Sequence, residues 1–166
     1  MNKLRYAISL IVVLIIQAAV VTNWTFFGIS PALNLVYIVA LSFLYGPLWG
    51  GYTGLALGLF EDMMFSSVLG VRALLFFVAA TAVGKALYHN EHNFATGTLA
   101  TALVSLFVLF GQWGILFLLG MPLPASYLIG KPALFYAVFN ALLFTPVMLL
   151  MQRLMKPESI RPFGRI

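Results

Sequence analysis

The side chains best suited to chemistry in this sequence stand close together: Glu61 and Asp62, side by side, with Arg72 ten positions further on. Two carboxylates invite an acid–base reading. Neighbours on a helix, however, project about 100° apart, and no further acid falls on the same side to complete a catalytic pair. The expected arrangement is an ion pair between Asp62 and Arg72, joining two helix ends and easing the partial burial of both charges. The alternative use is a polar platform facing an extracytoplasmic partner. His89 and His92 flank Glu91, but two imidazoles in a polar loop are too few ligands for a metal site. Phosphate-loop, His-Glu-x-x-His and Gly-x-Ser-x-Gly patterns are missing. The chain has no cysteine, which excludes disulfides, thiolate metal sites and cysteine nucleophiles. No catalytic residue, cofactor site or metal site is therefore predicted.

A second pattern concerns packing. Gly46, Gly50, Gly54 and Gly58 recur every four residues, with Gly51 beside them. On a helix, positions four apart share a face, and a glycine face lets another backbone approach closely. Packing inside this same protein is the first reading, and a partner's helix the second. Gly50, Gly54 and Gly58, with Pro31 and Asn34, are the candidates for helix packing or a partner interface; Asp62 and Arg72 form the candidate outer-face polar pair. Asn34, Gln112 and Asn140 are amides inside apolar stretches. Each is expected to bond a neighbouring helix, an interaction worth about 0.6–2 kcal/mol in membranes.

The elements that must carry these residues follow from composition. Apolar residues make up 63% of the chain and charged ones 8%, against about 25% charged in soluble domains; the mean hydropathy is +1.04. Four acids and nine bases cannot cover such a chain with a water-facing surface. The prediction is a single all-α domain of six membrane spans, near 6–23, 31–46, 48–61, 70–88, 96–119 and 129–152. The first apolar run resembles a signal peptide but lacks a small-x-small cleavage site, and so reads as an uncleaved helix. Pro31 suits a first helical turn, and Gly46-Pro47 a tight turn. The second and third spans are short, which predicts a hairpin shielded by its neighbours or sitting in a thinned bilayer. Pro146 should kink the sixth span. With the N-terminus inside, Lys3, Arg5, Lys85, Arg153, Lys156, Arg161 and Arg165 lie on the inner side, and Arg72 and Lys131 on the outer. That asymmetry predicts both ends in the cytoplasm. The net charge of +5 is scattered over helix ends and forms no nucleic-acid patch.

The ordered run from Pro31 through Asn34, Tyr45-Gly46-Pro47, Gly50-Gly51, Gly54, Gly58 and Glu61-Asp62 to Leu69-Gly70, Arg72-Ala73-Leu74 and Gly84 resembles the MreD family of bacterial rod shape-determining proteins. The likeness covers roughly residues 30–90; the later half agrees in size and hydropathy. The family often carries an acid near the position of Asn34, where this chain has the amide. The resemblance implies a non-enzymatic, multi-pass scaffold of the inner (cytoplasmic) membrane in the cell-elongation machinery. Its implied partners are MreC directly, and MreB and the RodA–penicillin-binding-protein synthase pair directly or indirectly. It also implies a fold similar to the substrate-binding subunits of energy-coupling-factor transporters. The second functional reading is therefore the substrate-binding subunit of a vitamin-type transporter, which would need a polar outer cavity. A lipid-modifying enzyme would need His, Asp or Glu clustered at one depth, and no such cluster is visible.

Overall fold

The computed structural model describes residues 3–23, 30–88, 93–121 and 131–155. These form six α-helices: α1 (Lys3–Asn23), α2 (Leu33–Tyr45), α3 (Pro47–Phe65), α4 (Val71–Leu87), α5 (Phe94–Leu118) and α6 (Lys131–Met155). No strand occurs among the described residues. The all-helical expectation therefore holds. By length and composition, two helices, Phe94–Leu118 and Pro132–Leu154, suffice to cross a membrane; Leu4–Ala19 and Leu33–Tyr45 are shorter apolar helices. Trp24, Phe26 and Phe27, the stretch from His89 to His92, Pro122 and Pro124, and Lys156, Arg161 and Arg165 lie outside the described residues.

The helices are arranged around α2, which touches all five others. Every residue of α2 from Asn34 to Leu44 is buried. Its sequence, LNLVYIVALSFLY, is apolar on every side, as a helix without a free face must be. At 13 residues it is only about 20 Å long, well short of the roughly 30 Å of a hydrocarbon core. Its shortness is accommodated by neighbours that enclose it. Its ends, however, lie inside protein, where unpaired backbone groups are costly. That cost shapes the site described below.

The chain leaves α2 through Gly46, whose φ of 91° favours a residue without a Cβ, and Pro47 opens α3. The glycine face of α3 is turned inward. A Cβ on Gly58 would sit 2.5 Å from the Cα of Ala73, and one on Gly54 2.8 Å from the carbonyl oxygen of Phe76. Gly50 backs onto Ser42 of α2, and Gly51 onto Thr81 and Phe77 of α4. Gly84 of α4 returns the contact: a Cβ there would lie 2.5 Å from the Cα of Pro47. The α2–α3–α4 unit is thus packed backbone to backbone.

The third span continues one turn beyond the point where its acids were expected to end it. Glu61 and Asp62 lie inside α3, which runs to Phe65. The acids do not break the helix because both are bonded by neighbouring helices. The sixth helix, α6, is continuous from Lys131 to Met155 with Pro146 inside it. Aromatic packing fills the centre, with Phe43 of α2 meeting Phe144 of α6 edge-on at 6.1 Å between ring centroids. Large apolar side chains also point outward from every helix but the enclosed α2, among them Ile15, Tyr52, Leu74, Leu103 and Leu142.

Candidate functional site

The polar side chains collect where α1, α3 and α5 finish and α2, α4 and α6 begin. The starting point is the N-terminus of α2. Its first N–H groups have no partner within the helix, and Ala32, the residue before it, caps nothing with its side chain. Gln17 of α1 supplies the acceptor: its Oε1 accepts from the N–H of Leu33 at 2.6 Å and of Asn34 at 3.3 Å. Its Nε2 donates to the carbonyl of Pro31 at 3.2 Å. Asn140 of α6 accepts from the N–H of Ala32 at 3.0 Å and donates to Ser105 of α5 at 3.1 Å. Amides on two other helices thus terminate α2 from outside.

Asn34, fully buried, links this cap to the acids. Its Nδ2 donates to Glu61 Oε1 at 2.7 Å. The other Glu61 oxygen faces Arg72 Nη1 at 3.5 Å, the ion pair of this region. Arg72 Nε in turn donates to Gln112 of α5 at 3.5 Å.

Asp62 does something other than pair with the Arg72 side chain. Its Oδ2 accepts from three backbone N–H groups at the start of α4: Gly70 at 2.9 Å, Arg72 at 3.0 Å and Ala73 at 3.3 Å. The expected Asp62–Arg72 ion pair is thereby corrected. Asp62 meets Arg72 through the backbone, and the guanidinium pairs with Glu61. The physical reason is the N-terminal end of α4, whose unpaired N–H groups and partial positive charge attract a carboxylate. Gly70 there, with φ of 95°, brings those groups into line. Asp62 is also fully buried, so it offers no platform to anything outside.

The arrangement bonds helices together. Through side chains it ties α1 to α2, α6 to α2 and α5, α2 to α3, α3 to α4, and α4 to α5. Glu61 is 5% exposed, with one oxygen engaged by Asn34 and the other by Arg72. Among the described residues no group of three or more His, Cys, Asp or Glu could hold a metal ion. Asn34 Oδ1 and Asp62 Oδ1 are buried without a hydrogen-bond partner among the described residues. One polar atom is left over in each of two otherwise occupied side chains.

The structure brings Asn34, Asp62 and Arg72 into one cluster and buries Pro31 beside it. Gly50, Gly54 and Gly58 lie elsewhere, along the buried side of α3. The amides Asn34, Gln112 and Asn140 each bond another helix. Glu61, named in the sequence beside Asp62, takes the place expected of Asp62 as partner of the Arg72 guanidinium. Gln17 was not among the candidates. The signal for Gln17 was present, since an amide in mid-helix needs a partner. Which helix end would supply it was not.

At the opposite end, hydroxyls make lighter connections. Ser9 bonds Tyr37 at 2.7 Å, and Tyr6 bonds Thr53 at 2.7 Å. Tyr6 also meets Trp49 edge-on, and Arg5 donates to the carbonyl of Leu154 at 3.3 Å.

Compared with known proteins, the chain matches the family model described as rod shape-determining protein MreD over residues 2–154. Neither a curated protein nor a solved structure matches it.

Proposed function

Because the chain belongs to the MreD family of rod shape-determining proteins, we propose that it is a non-enzymatic scaffold, spanning the bacterial inner membrane six times with both ends in the cytoplasm. Its role in rod shape determination, as part of the rod-shape machinery, comes with the family. The finer reading is that it binds the single membrane span and the outer domain of MreC. Through that contact it helps organise peptidoglycan synthesis by the RodA–penicillin-binding-protein pair, with MreB engaged directly or through MreC.

One observation carries this reading: among the described residues, the buried polar cluster is spent on holding helices to each other. Glu61, Asp62, Asn34, Gln17 and Asn140 are all buried and engaged. A vitamin-binding subunit would turn such groups toward a cavity open at the outer end. A scaffold needs the opposite, a rigid body whose contacts are made by its exterior. That exterior is apolar on five helices, with Leu103, Leu134 and Leu142 each at least 60% exposed. Such a surface suits lipid and a partner's span better than water. Gly50, Gly54 and Gly58 then serve the scaffold as packing residues, and Asp62 and Arg72 as the polar clamp between α3 and α4.

The absence of cysteine permits a direct test. Single cysteines at outward positions Ile11, Tyr52, Leu74, Leu103 and Leu142 would be cross-linked in native membranes to cysteines in the MreC span. Wild-type chain is expected to co-purify with MreC, and cross-links to concentrate on one or two neighbouring helices. A chain that purifies without MreC and cross-links from none of the five positions rules out the direct scaffold.

A further inference from the structure

Between α1, α2 and α6 lies a cavity of about 550 Å³ that reaches from Arg5 and Arg153 to Leu33. Along most of its length the lining is aliphatic, with Val12 and Ile16 on one wall and Leu150 on the other. At its end sit two cations, Arg5 and Arg153, both exposed. Among the described residues no acid lines it. We propose that this groove is a binding site for one anionic phospholipid, its phosphate held by Arg5 and Arg153 and an acyl chain laid along α1. The proposal rests on the membrane placement put forward above.

Two features select that occupant. First, the length fits. From Arg5 to Ile16 the groove follows α1 for eleven residues, about 16 Å, close to half of a hydrocarbon core roughly 30 Å thick. An acyl chain of one leaflet covers that distance while its headgroup stays level with the arginines. Second, the charge fits. Arginine presents a planar fork of N–H donors matched to phosphate oxygens, and Arg5 spends only part of its set on the Leu154 carbonyl. Basic pockets between helices on the cytoplasmic side recognise anionic headgroups in this way.

The test uses the full chain purified in a neutral maltoside detergent, with bound lipid counted by native mass spectrometry during titration with phosphatidylglycerol or phosphatidylethanolamine. At roughly fivefold per arginine, the wild type is expected to prefer phosphatidylglycerol by about 25-fold. Arg5→Gln/Arg153→Gln changes two exposed side chains and should bind the two lipids alike. Val12→Trp fills the groove from a half-exposed position and should weaken both lipids. An undiminished preference in the arginine variant, or wild-type lipid binding by Val12→Trp, overturns the proposal. It is equally overturned if Val12→Trp loses MreC while keeping its lipids, for then the groove seats a partner's span. Failure of the wild type to co-purify with MreC would instead strike the scaffold reading, because lipid binding is read on the isolated chain.

Discussion

The α2–α3–α4 unit and the seam between α1 and α6 are built from similar apolar material and packed in opposite ways. In the first, glycines remove side chains altogether, so that Gly58 and Ala73, or Gly84 and Pro47, meet backbone to backbone. Carboxylates and amides then stitch the helix ends together. In the second, a cavity of about 550 Å³ remains, lined by branched and long side chains. The difference shows where rigidity resides. Without a water-driven hydrophobic effect between helices, close van der Waals packing and interhelical hydrogen bonds supply the association. The seam has little of either. In membrane it is the region left for lipid, whereas the glycine unit is closed to everything.

The largest effect is expected at the closest approach. Gly58→Leu would drive a side chain into the backbone of Arg72 and Ala73, which cannot yield as a flexible side chain does. Overpacking usually costs about 1–3 kcal/mol, and a backbone obstacle places this variant at or above the upper end. Fluorescence-detected size exclusion in detergent should show an aggregated or lost peak. A monodisperse peak with wild-type melting would mean that the glycine face is not what holds α3 to α4.

Next comes the polar clamp. Arg72→Leu leaves Glu61 buried without its cation. Such losses cost about 3–5 kcal/mol for fully buried pairs. The Arg72 side chain is 26% exposed and the ion pair is 3.5 Å long, so about 2 kcal/mol is the discounted expectation. Adding Glu61→Gln should return most of the lost thermal stability. A double variant no better than Arg72→Leu alone would show that the guanidinium acts through Gln112 or by packing, and not through the carboxylate.

The smallest effect belongs to the seam. Val147→Ala only widens a space that already exists and should lower stability by less than about 1 kcal/mol. A drop in melting temperature comparable with that of Gly58→Leu would erase the contrast between the two regions.

Much of the fold was legible beforehand, for reasons that are local. Apolar run length marked the helices, Gly46-Pro47 marked the reversal between α2 and α3, and four-residue spacing put Gly50, Gly54 and Gly58 on one face. The site was legible only as an inventory. Asn34, Asp62, Arg72, Gln112 and Asn140 could be named as polar groups in need of partners, but Asp62 was matched to the wrong part of Arg72.

Sequence alone therefore determined an apolar helical chain, its turns, and which few polar side chains it must satisfy, because apolar run length and backbone restrictions are set by neighbouring residues. Tertiary structure decided who satisfies whom. Glu61 and Asp62 are consecutive, yet about 100° of helical rotation separates them, so the way α3 is turned against α2 and α4 gives one the guanidinium and the other the start of α4. Likewise, only the enclosure of α2 by all five of its neighbours makes its N-terminus a buried end that Gln17 and Asn140 must cap.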